Sequence, residues 1–212
     1  MKLVVYNMNE YIKVNVAHPK VAQLEVIRQC LEDSGVIAYP TDSGYALGCM
    51  MGNKRALKRI QDIRALDAHH NFTLICRDLS EISHYAHVDN SSYRLLKRLT
   101  PGAFTFILKA SKEVPKLMQA KRKTIGIRIP DHLIPLAITA SLGQPLTSTT
   151  LMLPGKTDAL VYPEDVSEAI GHQVDIIIDS GYCGFLPTTV VDLSEDAPLI
   201  LREGAGDIST LI

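Results

Sequence analysis

Two groups of hydroxyl side chains and two arginines hold the chemistry that this sequence offers. Thr41-Asp42-Ser43 follows the apolar run Val36-Ile37-Ala38-Tyr39 and precedes Gly44. Three short hydrogen-bonding side chains beside a glycine suit either a plain turn or the rim of a ligand pocket, where backbone must approach closely. Thr147-Ser148-Thr149-Thr150 closes a second segment, after Gln144-Pro145-Leu146. Such a run binds phosphate oxygens well and is also ordinary for an edge strand. Arg128 stands before Ile129-Pro130, and Arg202 before Glu203-Gly204. A guanidinium at a strand end fits a bidentate anion contact or a structural salt bridge.

Other chemistries lack their residues. There is no Gly-x-Ser-x-Gly, and no cysteine stands in a pattern that pairs it with a base, so the sequence assigns no catalytic nucleophile. Gly155-Lys156-Thr157 resembles the end of a phosphate loop, but the glycine needed five residues earlier is Thr150. Gly204-Ala205-Gly206 has no third glycine and no βαβ unit after it. His69-His70, His84 and His87 have no cysteine or carboxylate at a ligand spacing, so they read as surface histidines and no metal site is expected.

The elements that would position these groups can be read from apolar periodicity and from Gly, Pro and Asn punctuation. Lys2–Tyr6 reads as a strand; Pro19 opens a helix facing inward with Leu24, Ile27 and Leu31, and Gly35 stops it. Val36–Tyr39 forms a strand that Pro40 breaks, and Tyr45–Met51 resumes it. Asn53 caps a helix with Leu57, Ile60 and Ile63 inward. Strands follow at Phe72–Cys76, Phe104–Lys109, Thr124–Ile129 and Leu146–Thr150, with others near Val174, Val190 and Leu199. Helices cover Asp89–Leu99, His132–Leu142 and Pro163–Ile170, and Asp78 with Glu81 forms a capping box. Strands and helices mix without strict βα alternation, which favours a single open twisted mixed sheet flanked by helices.

With 212 residues, 46% of them apolar, the chain reads as one domain over residues 1–212 that buries roughly 70% of its unfolded surface. No apolar run approaches the ~20 residues of a membrane span, and polar residues interrupt the N-terminal stretch, so a cytoplasmic protein without a membrane partner is expected. Cys30, Cys49, Cys76 and Cys183 show no disulfide spacing and read as buried reduced thiols. The net charge of −1 is unevenly spread: residues 54–128 carry a balance of +10 and residues 129–212 one of −10. The two parts can attract each other across the fold, or the basic part can gather on one face for phosphates. Lys121, Arg122 and Lys123 end the densest basic run, which has no interleaved aromatic, so backbone phosphate of RNA suits it better than stacked bases.

The order of the motifs is similar to that of the YrdC/YciO superfamily. Gly35 to Gly48, with Tyr39-Pro40-Thr41-Asp42-Ser43-Gly44-Tyr45 at its centre, resembles the opening motif. Thr100-Pro101-Gly102-Ala103-Phe104-Thr105, Ile127-Arg128-Ile129-Pro130, Thr188 to Leu193 and Leu201-Arg202-Glu203-Gly204 follow in sequence. Gly44-Tyr45, His70 to Asp78 and Leu151 to Gly155 resemble the YciO branch in particular.

The resemblance implies an open α/β sheet with a concave basic surface. It also implies a relation to enzymes that make threonylcarbamoyl-AMP from L-threonine, bicarbonate and ATP with Mg²⁺ for tRNA modification. By motif position Thr41, Arg64 and Arg128 would contact the amino-acid substrate, and Ser148, Thr150 and Arg202 the nucleotide. A Lys-x-Arg and Ser-x-Asn tetrad of those synthases falls here on Arg64-Ala65-Leu66 and Thr150-Leu151-Met152, so Leu66 and Met152 replace a cation and an amide. Each lost charge-assisted contact costs about 1.5–3 kcal/mol. The alternatives this opens are a non-catalytic module for double-stranded RNA or tRNA, and an enzyme for a related threonylcarbamoyl substrate.

Overall fold

The computed structural model describes residues 10–67, 70–195 and 197–210. Among these, ten strands form one mixed sheet: β1 (Glu10–Lys13), β2 (Ile37–Thr41), β3 (Gly44–Met50), β4 (Thr73–Ile75), β5 (Phe104–Lys109), β6 (Thr124–Arg128), β7 (Leu146–Thr150), β8 (Ile176–Asp179), β9 (Thr189–Asp192) and β10 (Leu199–Arg202). Their order across the sheet is β1-β8-β2-β3-β7-β4-β6-β5-β9-β10. Six helices flank it: α1 (Val21–Glu32), α2 (Lys54–Arg64), α3 (Leu79–Tyr85), α4 (Asn90–Leu99), α5 (Leu133–Leu142) and α6 (Pro163–Ile170). The open mixed sheet flanked by helices is thus the fold that the sequence implies.

Local chemistry sets several boundaries. Asn53 Oδ1 accepts from Ala56 N at 3.0 Å and starts α2, and Ala56, Leu57, Ile60 and Ile63 bury its inner face. Asp78 caps α3 by accepting from Glu81 N at 2.9 Å, while Glu81 reaches one residue past the cap, to Arg77 N at 2.6 Å. Gly143 ends α5 at φ +67, a conformation that glycine adopts without strain.

Pro40 does not break its strand. It lies inside β2, opposite Tyr45 of β3. The parallel neighbour β8 pairs with β2 only at Ile37 and Ala38, so at Pro40 that side of β2 is a free edge and a missing N–H is tolerated. Strand β1 begins at Glu10, and the expected Lys2–Tyr6 strand lies outside the described residues.

The two faces of the sheet are covered differently. On one face α1 and α5 pack Ile27, Leu31, Ile134 and Ile138 onto Ile37, Tyr39, Leu146 and Ile176. Each such fully buried side chain contributes about 1.5–3 kcal/mol. On the other face Leu57, Ile60, Leu96 and Val166 join Phe106, Leu108, Ile125 and Ile127. Strand alternation then sorts the rest: in β5 Phe104, Phe106 and Leu108 enter this second core, and Thr105 and Ile107 point to the opposite side. That opposite side, over β4, β6, β5 and β9, is where the cavity lies.

Candidate active site

A cavity of about 260 Å³ opens there, floored by Thr73, Thr105, Thr124 and Gly126. A Cβ at Gly126 would press on Thr73 Oγ1 at 3.0 Å, so glycine keeps this floor low. The chamber continues into a smaller pocket of about 40 Å³ beside Thr41, Ser43, Arg128 and Ser148. Thr73, Thr105, Thr149, Thr150 and Thr188 line both. The lining shared by the two spaces is one of hydroxyl groups, while in the larger chamber Phe72, Ile107, Met118 and Val190 add apolar surface beside Arg64 and Arg202.

The small pocket is built by the β2–β3 hairpin. Thr41 pairs with Gly44, so Asp42 and Ser43 are the two turn residues, and Gly44 adopts φ +99. Thr41 Oγ1 donates to the Gly44 carbonyl at 2.7 Å and accepts from Ser43 N at 3.1 Å. The segment is therefore both a turn and a pocket rim. Arg128 enters from β6, buried, with Nη1 on Ser43 Oγ at 2.7 Å and Nη2 on Asp42 Oδ1. Its Nε, and Asp42 Oδ2, are buried and lack hydrogen-bond partners among the described residues. Behind the rim, Tyr39 and Ser148 share a 2.6 Å hydrogen bond that ties β2 to β7 across β3.

Arginines and a histidine form the chamber walls. Arg64 ends α2 and reaches the end of β7: Nε donates to the Met152 carbonyl at 2.9 Å, and Nη1 to Thr149 Oγ1 at 3.0 Å and to the Thr150 carbonyl. His70 Nε2 lies 3.1 Å from the same Thr149 oxygen, and its ring stands edge-on to Phe72 with centroids 5.3 Å apart. Burial, and then the nearby Arg64 charge, hold the His70 pKa below the ordinary imidazole value. On the other side Arg202 of β10 is exposed and grips the Thr188 carbonyl with Nε at 3.1 Å and Nη2 at 2.9 Å. Gly204 permits this approach, since a Cβ there would lie 2.2 Å from the Pro187 carbonyl oxygen.

The family model for Sua5/YciO/YrdC, described as "Telomere recombination", matches residues 29–204. The chain belongs to the Sua5/YciO/YrdC family. Its relatives include YciO of Escherichia coli K12, 52% identical over 199 residues, spanning 92% of this chain and 97% of that protein. The crystal structure of E. coli YciO superposes with a TM-score of 0.90 at 48% identity, covering 96% of this chain and 98% of that one. The threonylcarbamoyl-AMP synthase of Vibrio vulnificus is 29% identical over 161 residues, spanning 74% of this chain and 86% of that protein. Sua5 of P. abyssi complexed with L-threonine gives a TM-score of 0.84 at 25% identity, covering 92% of this chain and 57% of that chain.

Within this member of the Sua5/YciO/YrdC family, Thr41, Arg128, Ser148 and Thr150 meet in the small pocket, while Arg64, Thr150 and Arg202 line the chamber. Met152 also lines the chamber, whereas Leu66 is not among its lining residues. Lys121, Arg122 and Lys123 are exposed. Arg122 is engaged with Glu195 at 2.7 Å and with Asp192 at 3.6 Å, an ion-pair link between the basic middle and the acidic end of the chain.

His70 is not a surface histidine: it is half-buried on the chamber wall, where its Nε2 meets the Thr149 hydroxyl of β7. His69 lies outside the described residues. Thr149 belongs to the hydroxyl run that the sequence singles out, whereas sequence reasoning missed Thr73, Thr105 and Thr188 as lining residues. The polar-apolar alternation of Phe104-Thr105-Phe106 was the available signal. The four cysteines are buried and free, and burial raises the thiols of Cys30 and Cys49 to about 12, which keeps them protonated and inert. Among the described residues no helix is long and apolar enough to cross a membrane.

Proposed function

We propose that the protein holds a small hydroxy-amino acid in the Arg128 pocket and a nucleoside triphosphate in the adjoining chamber, and performs chemistry of the threonylcarbamoyl-AMP type. The single observation behind this reading is Arg128 Nε, a buried donor without an acceptor in a pocket lined with hydroxyls. An unmade buried hydrogen bond costs about 1–3 kcal/mol, and a substrate carboxylate would supply the acceptor. Thr41 and Ser43 then face the remainder of an amino acid such as L-threonine. Thr150, which lines both spaces, hydrogen-bonds the nucleotide, and Arg64 and Arg202 approach its phosphates from the two sides of the chamber, whereas Ser148, a nucleotide contact by motif position, lies in the small pocket beside the amino acid. The kinship with a threonylcarbamoyl-AMP synthase and with an L-threonine-bound Sua5 supports the same reading.

The amine of L-threonine attacks bicarbonate to give a carbamate and water. A carbamate oxygen then attacks the α-phosphorus of ATP, and pyrophosphate leaves with the electron pair of the broken P–O bond. No protein nucleophile is required. The protein orients the reactants and offsets triphosphate charge. Mg²⁺ enters as part of the MgATP substrate. Met152 offers the chamber no side-chain amide, and Arg64 spends part of its donor set on the Met152 and Thr150 carbonyls, so the grip on the nucleotide is weakened. ATP as substrate and four free thiols fit a cytoplasmic setting.

The reading is tested by incubating the protein with MgATP, bicarbonate and L-threonine, following pyrophosphate release and identifying the adenylate by mass spectrometry. Pyrophosphate that depends on L-threonine, together with the carbamoyl-adenylate mass, is expected. Binding of both substrates without either product would reduce the assignment to a ligand-binding protein.

RNA contact is a second reading with one observation behind it. Lys121 and Lys123 are exposed and adjoin in sequence Ala120 and Thr124, which line the chamber. Changing both to Ala flattens the log-affinity against log-salt slope for tRNA by roughly 1.4–1.8, from about 0.7–0.9 per phosphate contact. An unchanged slope removes this surface from any RNA role.

A further inference from the structure

The substrate contacts above leave His70 without a task. Thr149 lines both the chamber and the small pocket, and its hydroxyl oxygen lies between Arg64 Nη1 at 3.0 Å and His70 Nε2 at 3.1 Å. A guanidinium only donates, so Arg64 occupies one lone pair of that oxygen and leaves the hydroxyl proton to point elsewhere. The imidazole accepts it when Nε2 carries no hydrogen. Burial and the Arg64 charge both favour the neutral ring, against the opposing pull of Asp67. The charged groups that face His70 are thus Arg64 from the end of α2 and Asp67 from the segment after it; β7 presents the uncharged Thr149.

We propose that His70 is the proton acceptor of the site, reached through the Thr149 hydroxyl from the α-ammonium group of the substrate in the small pocket. This rests on the amino-acid and nucleotide reading given above. An α-ammonium has no lone pair and must lose a proton before its nitrogen attacks a carbonyl carbon. The second lone pair of Thr149 receives that proton while the original hydroxyl proton passes to His70 Nε2. One N–H bond breaks at the substrate, one O–H bond is exchanged at Thr149, and one N–H bond forms on the imidazole. The amine keeps the electron pair. An imidazolium beside Arg64 is disfavoured until triphosphate oxygens enter the chamber and offset both charges, so nucleotide must be present before the proton moves. His70 acts on the substrate through Thr149 and is in this sense a positioning and proton-holding residue.

The first test needs no turnover. ¹⁵N NMR of the imidazoles in the full-length protein is expected to show His70 neutral at pH 7 with Nε2 unprotonated, titrating below about 6.5. Thr149→Val, which keeps the shape and removes the hydroxyl, shifts the Nε2 resonance, and Thr149→Ser restores it. A protonated Nε2 in the wild type, or an Nε2 resonance indifferent to Thr149→Val in a folded protein, overturns the proposal. The second test is the pH profile of L-threonine-dependent pyrophosphate release. The wild-type rate should fall as pH drops through the His70 titration, because protonated imidazole cannot accept. His70→Gln, which keeps a polar group but cannot take up the proton, lowers kcat by about 10²-fold or more with the KM for ATP changed less than twofold and the acid limb lost. An unchanged rate and limb in His70→Gln contradicts the relay. Failure of the wild type to bind L-threonine or ATP is a different result, which removes the substrate reading while the NMR outcome still decides the hydroxyl-imidazole pair.

Discussion

Arg128→Ala is expected to abolish L-threonine binding and to lower stability by about 3–5 kcal/mol, the cost of leaving one member of a buried ion pair alone. The stranded group is Asp42, whose carboxylate is held by Arg128 Nη2 with its side chain only 16% exposed. Ser43 loses its 2.7 Å donor in the same step, so the hairpin turn that rims the pocket loosens. For a chain of this length the melting temperature falls by roughly 6–20 °C, measurable by calorimetry. Lost binding could then be blamed on lost folding, so a compensated variant separates the two. Asp42→Leu with Arg128→Met removes both charges together, and replacing a buried pair by apolar residues of similar volume is often neutral. That double variant should recover most of the stability and none of the amino-acid affinity. Recovery of both would show that Arg128 serves the hairpin alone.

Arg202→Ala separates binding from folding in the opposite sense. Arg202 is exposed, and its protein contacts are to Thr188. Solvent exposure discounts these charge-assisted hydrogen bonds, so stability falls by about 1–2 kcal/mol, less than in Arg128→Ala. ATP affinity should fall at least tenfold, about 1.4 kcal/mol, as one charged contact to the phosphates is lost. Affinity for L-threonine alone should be unaffected, because Arg202 lines the chamber and not the small pocket. Titrating wild type and variant with ATP and with L-threonine checks all three statements. Equal ATP affinity in the two proteins places the phosphates elsewhere.

Local signals were legible in the sequence where one short stretch decides the outcome. Leu146–Thr150 and Pro163–Ile170 have the expected bounds, set by proline and glycine punctuation and by apolar spacing. Pro40 was misjudged because its tolerance depends on how far β8 runs beside β2, which lies 139 residues away between Val36 and Asp175. The site divides in the same way. Thr41, Arg128 and Arg202 could be picked out as polar groups at strand ends, and Ser148 as part of a hydroxyl run within β7. The partnership of Arg128 with Asp42 spans 86 residues and that of His70 with Thr149 spans 79, and neither spacing leaves any periodic trace. The charge imbalance had two readings, and at Arg122 the intramolecular one is realised through Glu195.

The most direct test is calorimetric titration of L-threonine into the full-length protein, with and without saturating ATP. If the Arg128 pocket and the chamber are neighbouring subsites, L-threonine binds, ATP tightens it, and L-threonine tightens ATP by the same factor, as linkage requires. Absence of L-threonine binding under both conditions, in protein shown to be folded, would contradict the assignment of the Arg128 pocket to an amino acid.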